Sequence, residues 1–157
     1  MKYSKINKSL FIDNRKKFFE KMKPNSVAFF NSNDLYPVSA DTTLPFEQHR
    51  DLFYLSGIDQ EESVLMLFKS DDNSNNQEIL FLIKPNETLT HWEGKKLNKK
   101  KAFDFSGIEN VKWLNDLEKI IKETLPSVEN FYINTNEHYR AKVVTETREA
   151  RFNQWIQ

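Results

Sequence analysis

The chain has 157 residues, 23 basic and 23 acidic side chains, and no cysteine. That length builds one domain with a real core and is too short for two. The balanced charge gives no general attraction to nucleic acid or an anionic membrane, and the missing cysteines exclude disulfides, thiolate metal sites and a cysteine nucleophile. With only 3 glycines there is no Gly-rich phosphate loop. The first ten residues, MKYSKINKSL, lack the apolar stretch of a secretory signal. No apolar run approaches the ~20 residues that a membrane span needs. The expected compartment is therefore the cytoplasm.

Residues 4–22 read as a helix, with Ile6, Leu10, Phe11, Phe18 and Met22 at or near helical spacing and Lys and Arg between them. Ser4 or Ser9 is the expected cap, Pro24 the stop, and the basic side chains a solvated outer face. Residues 26–30 (SVAFF) read as a buried strand. Residues 31–46 form a long polar stretch with little periodicity, the kind of loop that is ordered for a purpose. Residues 50–55 are short and apolar, either helical turns or a strand, and Gly57 is placed to end them as a C-cap.

Residues 63–68 (SVLMLF) and 78–83 (EILFLI) are continuous apolar runs joined by a polar, turn-rich loop, the pattern of a buried β-hairpin. Residues 84–97 are irregular, 98–105 suit a short helix closed at Gly107, and 111–113 a short strand. Asn115 with Glu118 has the spacing of a capping box before a helix whose face carries Leu117, Ile120, Ile121, Thr124 and Leu125 and which Pro126 ends. Residues 130–134 read as another strand, and a last helix, capped by Thr135 or Asn136, runs towards Trp155. No internal repeat is visible. Alternating elements around a hairpin predict an α/β domain with a mixed β-sheet flanked by helices.

Residue chemistry alone yields no catalytic set. His49, His91 and His138 lie far apart and form no metal-binding spacing. The pairs Glu61-Glu62 and Asp71-Asp72 sit in turn-like surroundings and read as solvated charge. Residues 95–101 carry five lysines beside a single tryptophan, which reads as a soluble loop and helix start rather than a nucleic-acid surface. Asp41 is either an Asx-turn residue of the long loop or a polar contact at a cleft. Trp92 is either a lid over the core edge or an exposed contact residue.

The order of four motifs adds to this. They are Ser39-Ala40-Asp41, then Pro45-Phe46, then Gln48, Asp51, Leu52, Tyr54, Leu55, Ser56 and Gly57 in a Q-x-x-D-L-x-Y-L-S-G pattern, and last Trp92-Glu93-Gly94-Lys95-Lys96-Leu97. In this order the chain resembles the N-terminal domain of aminopeptidase P, the Xaa-Pro aminopeptidases of the creatinase/prolidase superfamily. Glu47, His49-Arg50 and Asn98 depart from the family's usual residues. The resemblance implies a single domain over residues 1–157, of the creatinase N-terminal type with a ribonuclease H-like motif. It also implies that the pita-bread catalytic domain, with its two manganese ions, is absent from this chain, so the chain holds no metal and no catalytic residue and is inactive alone. Its implied partners are its own catalytic domain, neighbouring subunits and a peptide with proline at the second position, with no nucleic acid and no membrane. Asp41 and Trp92 would line the substrate cleft or an interface, and Gln48, Asp51, Tyr54, Gly57 and Gly94 carry the family signature. The alternative is a stand-alone interaction module that keeps the fold without the peptidase.

Overall fold

The two apolar runs do pair. Strand β4 (Ser63–Lys69) lies antiparallel to β5 (Gln77–Leu82), with Leu65 opposite Leu80. On its other side β4 pairs antiparallel with β1 (Ser26–Asn31). Outside this triad β6 (Asn110–Trp113) runs parallel to β5, and β7 (Asn130–Ile133) parallel to β1. The result is a five-stranded mixed sheet of order β6-β5-β4-β1-β7. The computed structural model describes residues 6–40, 42–85, 94–135 and 148–157.

Both faces of the sheet are covered, which is why its central strands are apolar at every position rather than at alternate ones. On one face Ala28, Leu65, Leu67, Leu80 and Leu82 meet helices α1 (Lys8–Lys21), α2 (Arg50–Ser56) and α3 (Lys99–Ser106). On the other, Val27, Phe29, Val64, Met66, Ile79 and Phe81 meet α4 (Leu117–Thr124) and α5 (Arg148–Ile156). Each Leu, Ile or Phe removed from water here stabilises the fold by ~1.5–3 kcal/mol.

Several expectations are corrected. Asn7, not a serine, caps α1, accepting from the Ser9 amide at 3.0 Å. The basic face of that helix is not wholly solvated, because Arg15 is fully buried. The stretch 31–46 is not plain loop: β2 (Pro37–Ser39) and β3 (Thr42–Thr43) make a small separate hairpin, with Leu35, Tyr36, Val38 and Leu44 exposed along it. The capping box at Asn115 does not form. Residues Leu114–Asp116 make a 3₁₀ turn instead, and α4 starts at Leu117 with no side-chain cap. The segment 50–55, which periodicity leaves open, is helical.

A repeat also emerges that the sequence reading missed. Helices α2 and α3 both end in Ser-Gly-Ile. In each, the serine hydroxyl donates to the carbonyl four residues back (Ser56 to Leu52, 2.6 Å; Ser106 to Ala102, 2.8 Å). The same hydroxyl accepts from the isoleucine amide (Ile58, 3.1 Å; Ile108, 3.0 Å). Gly57 and Gly107 take the left-handed conformation, with φ of 67° and 74°.

Candidate functional site

The motif residues from Gln48 to Gly57 fold around α2. Gln48 sits just before the helix and reaches past its end: its amide nitrogen donates to the carbonyls of Ile58 (3.1 Å) and Gln60 (2.8 Å), and its oxygen accepts from the His49 amide (2.8 Å). One side chain thus ties the start of the helix to the segment leading into β4. His49 caps the helix, its Nδ1 accepting from the Asp51 amide at 3.4 Å. The Asp51 carboxylate accepts from the Asn134 amide, just beyond β7. Gly57 is required twice over, by its positive φ and by contact, since an added Cβ would lie 2.3 Å from the Phe11 ring.

Helix α1 reads the other end of α2. Asn14 donates to the Tyr54 carbonyl (2.8 Å). Arg15 donates through Nη1 to the carbonyls of Leu55 (2.8 Å) and Ser106 (3.0 Å), one at each helix end. Its Nε lies 2.9 Å from Glu78 Oε2. This Nε contact is an ion pair rather than an aligned hydrogen bond, since the atom has no hydrogen-bonded partner. A positive charge at two helix C-termini meets the negative ends of both dipoles, and the carboxylate balances it. Tyr54 itself points outward, 56% exposed, and with Leu10, Phe11 and Phe53 lines an apolar groove of about 440 Å³ between α1 and α2.

The Lys96-Leu97 end of the last motif is anchored at Gln60 and Glu61. Leu97 donates its amide to Gln60 Oε1 at 2.6 Å, and Lys96 pairs with Glu61 in a largely buried contact. Gly94 has φ 80°, but nothing lies within 4 Å of a Cβ built there, so its conformation rather than space calls for glycine. Asp41 and Trp92 lie outside the described residues.

Among the described residues no group of three or more His, Asp or Glu side chains is placed to hold a metal. No described helix is long and apolar enough to cross a membrane. In the β4–β5 turn the Asp72 carboxyl is held below its ordinary range, chiefly by the Ser74 hydroxyl. The signature residues Gln48, Asp51 and Gly57 hold backbone and close helices. The sequence reading missed Arg15, Asn14 and Gln60. For Arg15 a signal was present: Phe11, Arg15, Phe18 and Met22 follow the spacing of a single helical face, so the arginine sits in the apolar stripe.

Comparison with known proteins agrees with this frame. The sequence profile of the "Aminopeptidase P, N-terminal domain" family matches residues 11–132. The Xaa-Pro aminopeptidase of Escherichia coli is 27% identical over 144 residues, which cover 92% of this chain and 32% of that protein. The intermediate cleaving peptidase 55 of Saccharomyces cerevisiae is 27% identical over 116 residues, 73% of this chain and 23% of that protein. Among solved structures, aminopeptidase P from E. coli superposes with a TM-score of 0.77 at 27% identity, over 88% of this chain and 31% of that one. A chain described as an aminopeptidase P from Bacillus anthracis gives 0.85 at 23% identity, over 96% and 36%, and speaks to the fold alone. This chain spans about a third of the length of such relatives.

Proposed function

The chain belongs to the family of aminopeptidase P N-terminal domains, and from that premise we propose that it is the non-catalytic domain of a cytoplasmic, manganese-dependent Xaa-Pro aminopeptidase. In that role it supports subunit association and helps to wall the cleft that receives a peptide with proline at its second position. Asp41 and Trp92 are the side chains proposed to line that cleft or a subunit contact. The two manganese ions belong to a catalytic domain beyond this chain, where they would activate the attacking water. The observation that carries the reading is the use made of the signature: Gln48, Asp51 and Gly57 are engaged in holding α2. Such a domain serves a reaction whose chemistry lies elsewhere.

Exposed apolar surface supports a docked domain over the alternative, a stand-alone module, which would favour a polar exterior. Leu35, Tyr36, Val38 and Leu44 on the small hairpin, and Leu10 and Tyr54 at the groove, are all at least 43% exposed. The test is direct. An antibody to this domain should detect, in extracts of the source, a polypeptide well above 18.7 kDa that releases the first residue of Xaa-Pro peptides with manganese. The purified 157-residue chain should release none. A native species of 18.7 kDa would overturn the reading.

A further inference from the structure

We propose that Asn31 and Asn153 bind buried water between the end of β1 and helix α5. Asn31 is the last residue of β1 and is 1% exposed. Neither its side-chain oxygen nor its side-chain nitrogen has a hydrogen-bond partner among the described residues. Register fixes the face on which it lies. Asn31 stands opposite Val64, just as Phe29 stands opposite Met66. Phe29, Val64 and Met66 all belong to the core that α4 and α5 cover. Residues two apart on a strand share a face, so Val27, Phe29 and Asn31 form one row, and an amide ends it.

Helix α5 supplies the opposite wall. Its Phe152 ring packs on Phe29, with centroids 5.0 Å apart. Beyond Asn31 the Arg151 guanidinium pairs with the Asp34 carboxylate at 3.2 Å. Asn31 therefore lies between two points at which α5 is fastened to this segment. Asn153, next to Phe152, donates to the Asn134 carbonyl at 2.8 Å, and its own oxygen is buried without a partner among the described residues. Asn134 directly follows β7, the parallel neighbour of β1, and adjacent strands lie ~4.8 Å apart. The two amides thus open on one space. Buried polar groups are rarely left unpaired. Here two oxygens need a donor and one nitrogen needs an acceptor. Water supplies both, and a buried water makes ~3 such bonds. Exchanging the oxygen and nitrogen of Asn31 leaves the same requirement, so the inference does not turn on how that amide is oriented. It is also independent of the proposed role in a peptidase.

The experiment is NMR on the full chain, with water as the probe. Magnetisation transferred from water should reach the methyl protons of Val64, which stand opposite Asn31 and cannot exchange with solvent. The nuclear and rotating-frame effects should have opposite signs, the signature of water that stays bound while the protein tumbles. Asn31→Leu fills the space and removes both orphaned atoms, and should abolish the transfer. Asn153→Ala removes one wall and should weaken it, which keeps the test open if Asn31→Leu does not fold. A crystal structure of the chain should place water within hydrogen-bond distance of the Asn31 amide. Absence of transfer to Val64 in the unaltered chain overturns the site, as does transfer that persists undiminished in folded Asn31→Leu or Asn153→Ala. A crystal structure in which the Asn31 amide bonds only to protein atoms, or to a solute other than water, overturns it equally.

Discussion

The ends of α2 and α3 are built from the same three residues and differ in what covers them. At both, a serine closes the last turn, a left-handed glycine reverses the chain, and an isoleucine enters the core. Arg15 reaches both ends from α1. Over Gly57 lies the rigid ring of Phe11, itself held edge-on to Phe53 with centroids 5.9 Å apart. Over Gly107 lies the tip of Ile12, whose Cδ1 is 2.7 Å from the position of an added Cβ. The same cap is therefore tight against an aromatic at one end and against a movable aliphatic at the other. The tight end is the one whose helix carries the family signature and whose outer side forms the apolar groove.

Removing what the two ends share should do most damage. Arg15→Ala leaves the carbonyls of Leu55 and Ser106 and the Glu78 carboxylate without their partner. Loss of one member of a buried pair costs ~3–5 kcal/mol. Urea unfolding should show that loss, and a change below ~1 kcal/mol would mean that the ends are closed without the arginine.

The next effect separates them. Gly57→Ala meets both the strained φ and the Phe11 ring, a cost of about 2–4 kcal/mol. Gly107→Ala meets the φ term and a side chain that can turn away, about 1–2 kcal/mol. Equal losses in the two variants would show that backbone conformation, not the covering residue, decides both.

The smallest effect lies outside either helix end and serves as their control. Hydrogen bonds from Ser74 and Ser70 hold the Asp72 carboxyl low. A group whose folded pKa is lowered adds stability above its unfolded value, and that stability is lost as pH falls through the folded value. NMR titration should find Asp72 low in the native chain and returned towards the ordinary carboxylate range in Ser74→Ala, with little change in overall stability.

Most of the sheet was legible because continuous apolar runs such as 63–68 and 78–83 have few ways to be buried other than as strands covered on both faces. Helix ends with Gly57 and Gly107 were legible for the same kind of reason, since few residues adopt that φ. The start of α4 was not. Asn115 and Glu118 have the right spacing, but a 3₁₀ turn over 114–116 takes the place of the cap, and spacing does not distinguish a 3₁₀ turn from an α-turn. Arg15 is hard to place from sequence because its charge suits a solvated face while its spacing with Phe11, Phe18 and Met22 suits the buried one. Gln60 could not be found from sequence, since its partners at Gln48, Ser63 and Leu97 come together only when β4 is in place. Trp92 and Asp41 rest on the family motif alone, because no periodicity bears on an isolated residue in an irregular segment.

The sheet order has a consequence for a chain emerging from a ribosome. Strand β1 is the first to be made, yet one of its two neighbours is β7, the last strand of the sheet. About 100 residues separate them, or about 5–20 s of translation at ~5–20 residues per second. Through that interval the apolar sequence SVAFFN offers an open edge to any other nascent strand, the geometry from which aggregates start. That edge closes only when residues 130–133 are free to pair with it.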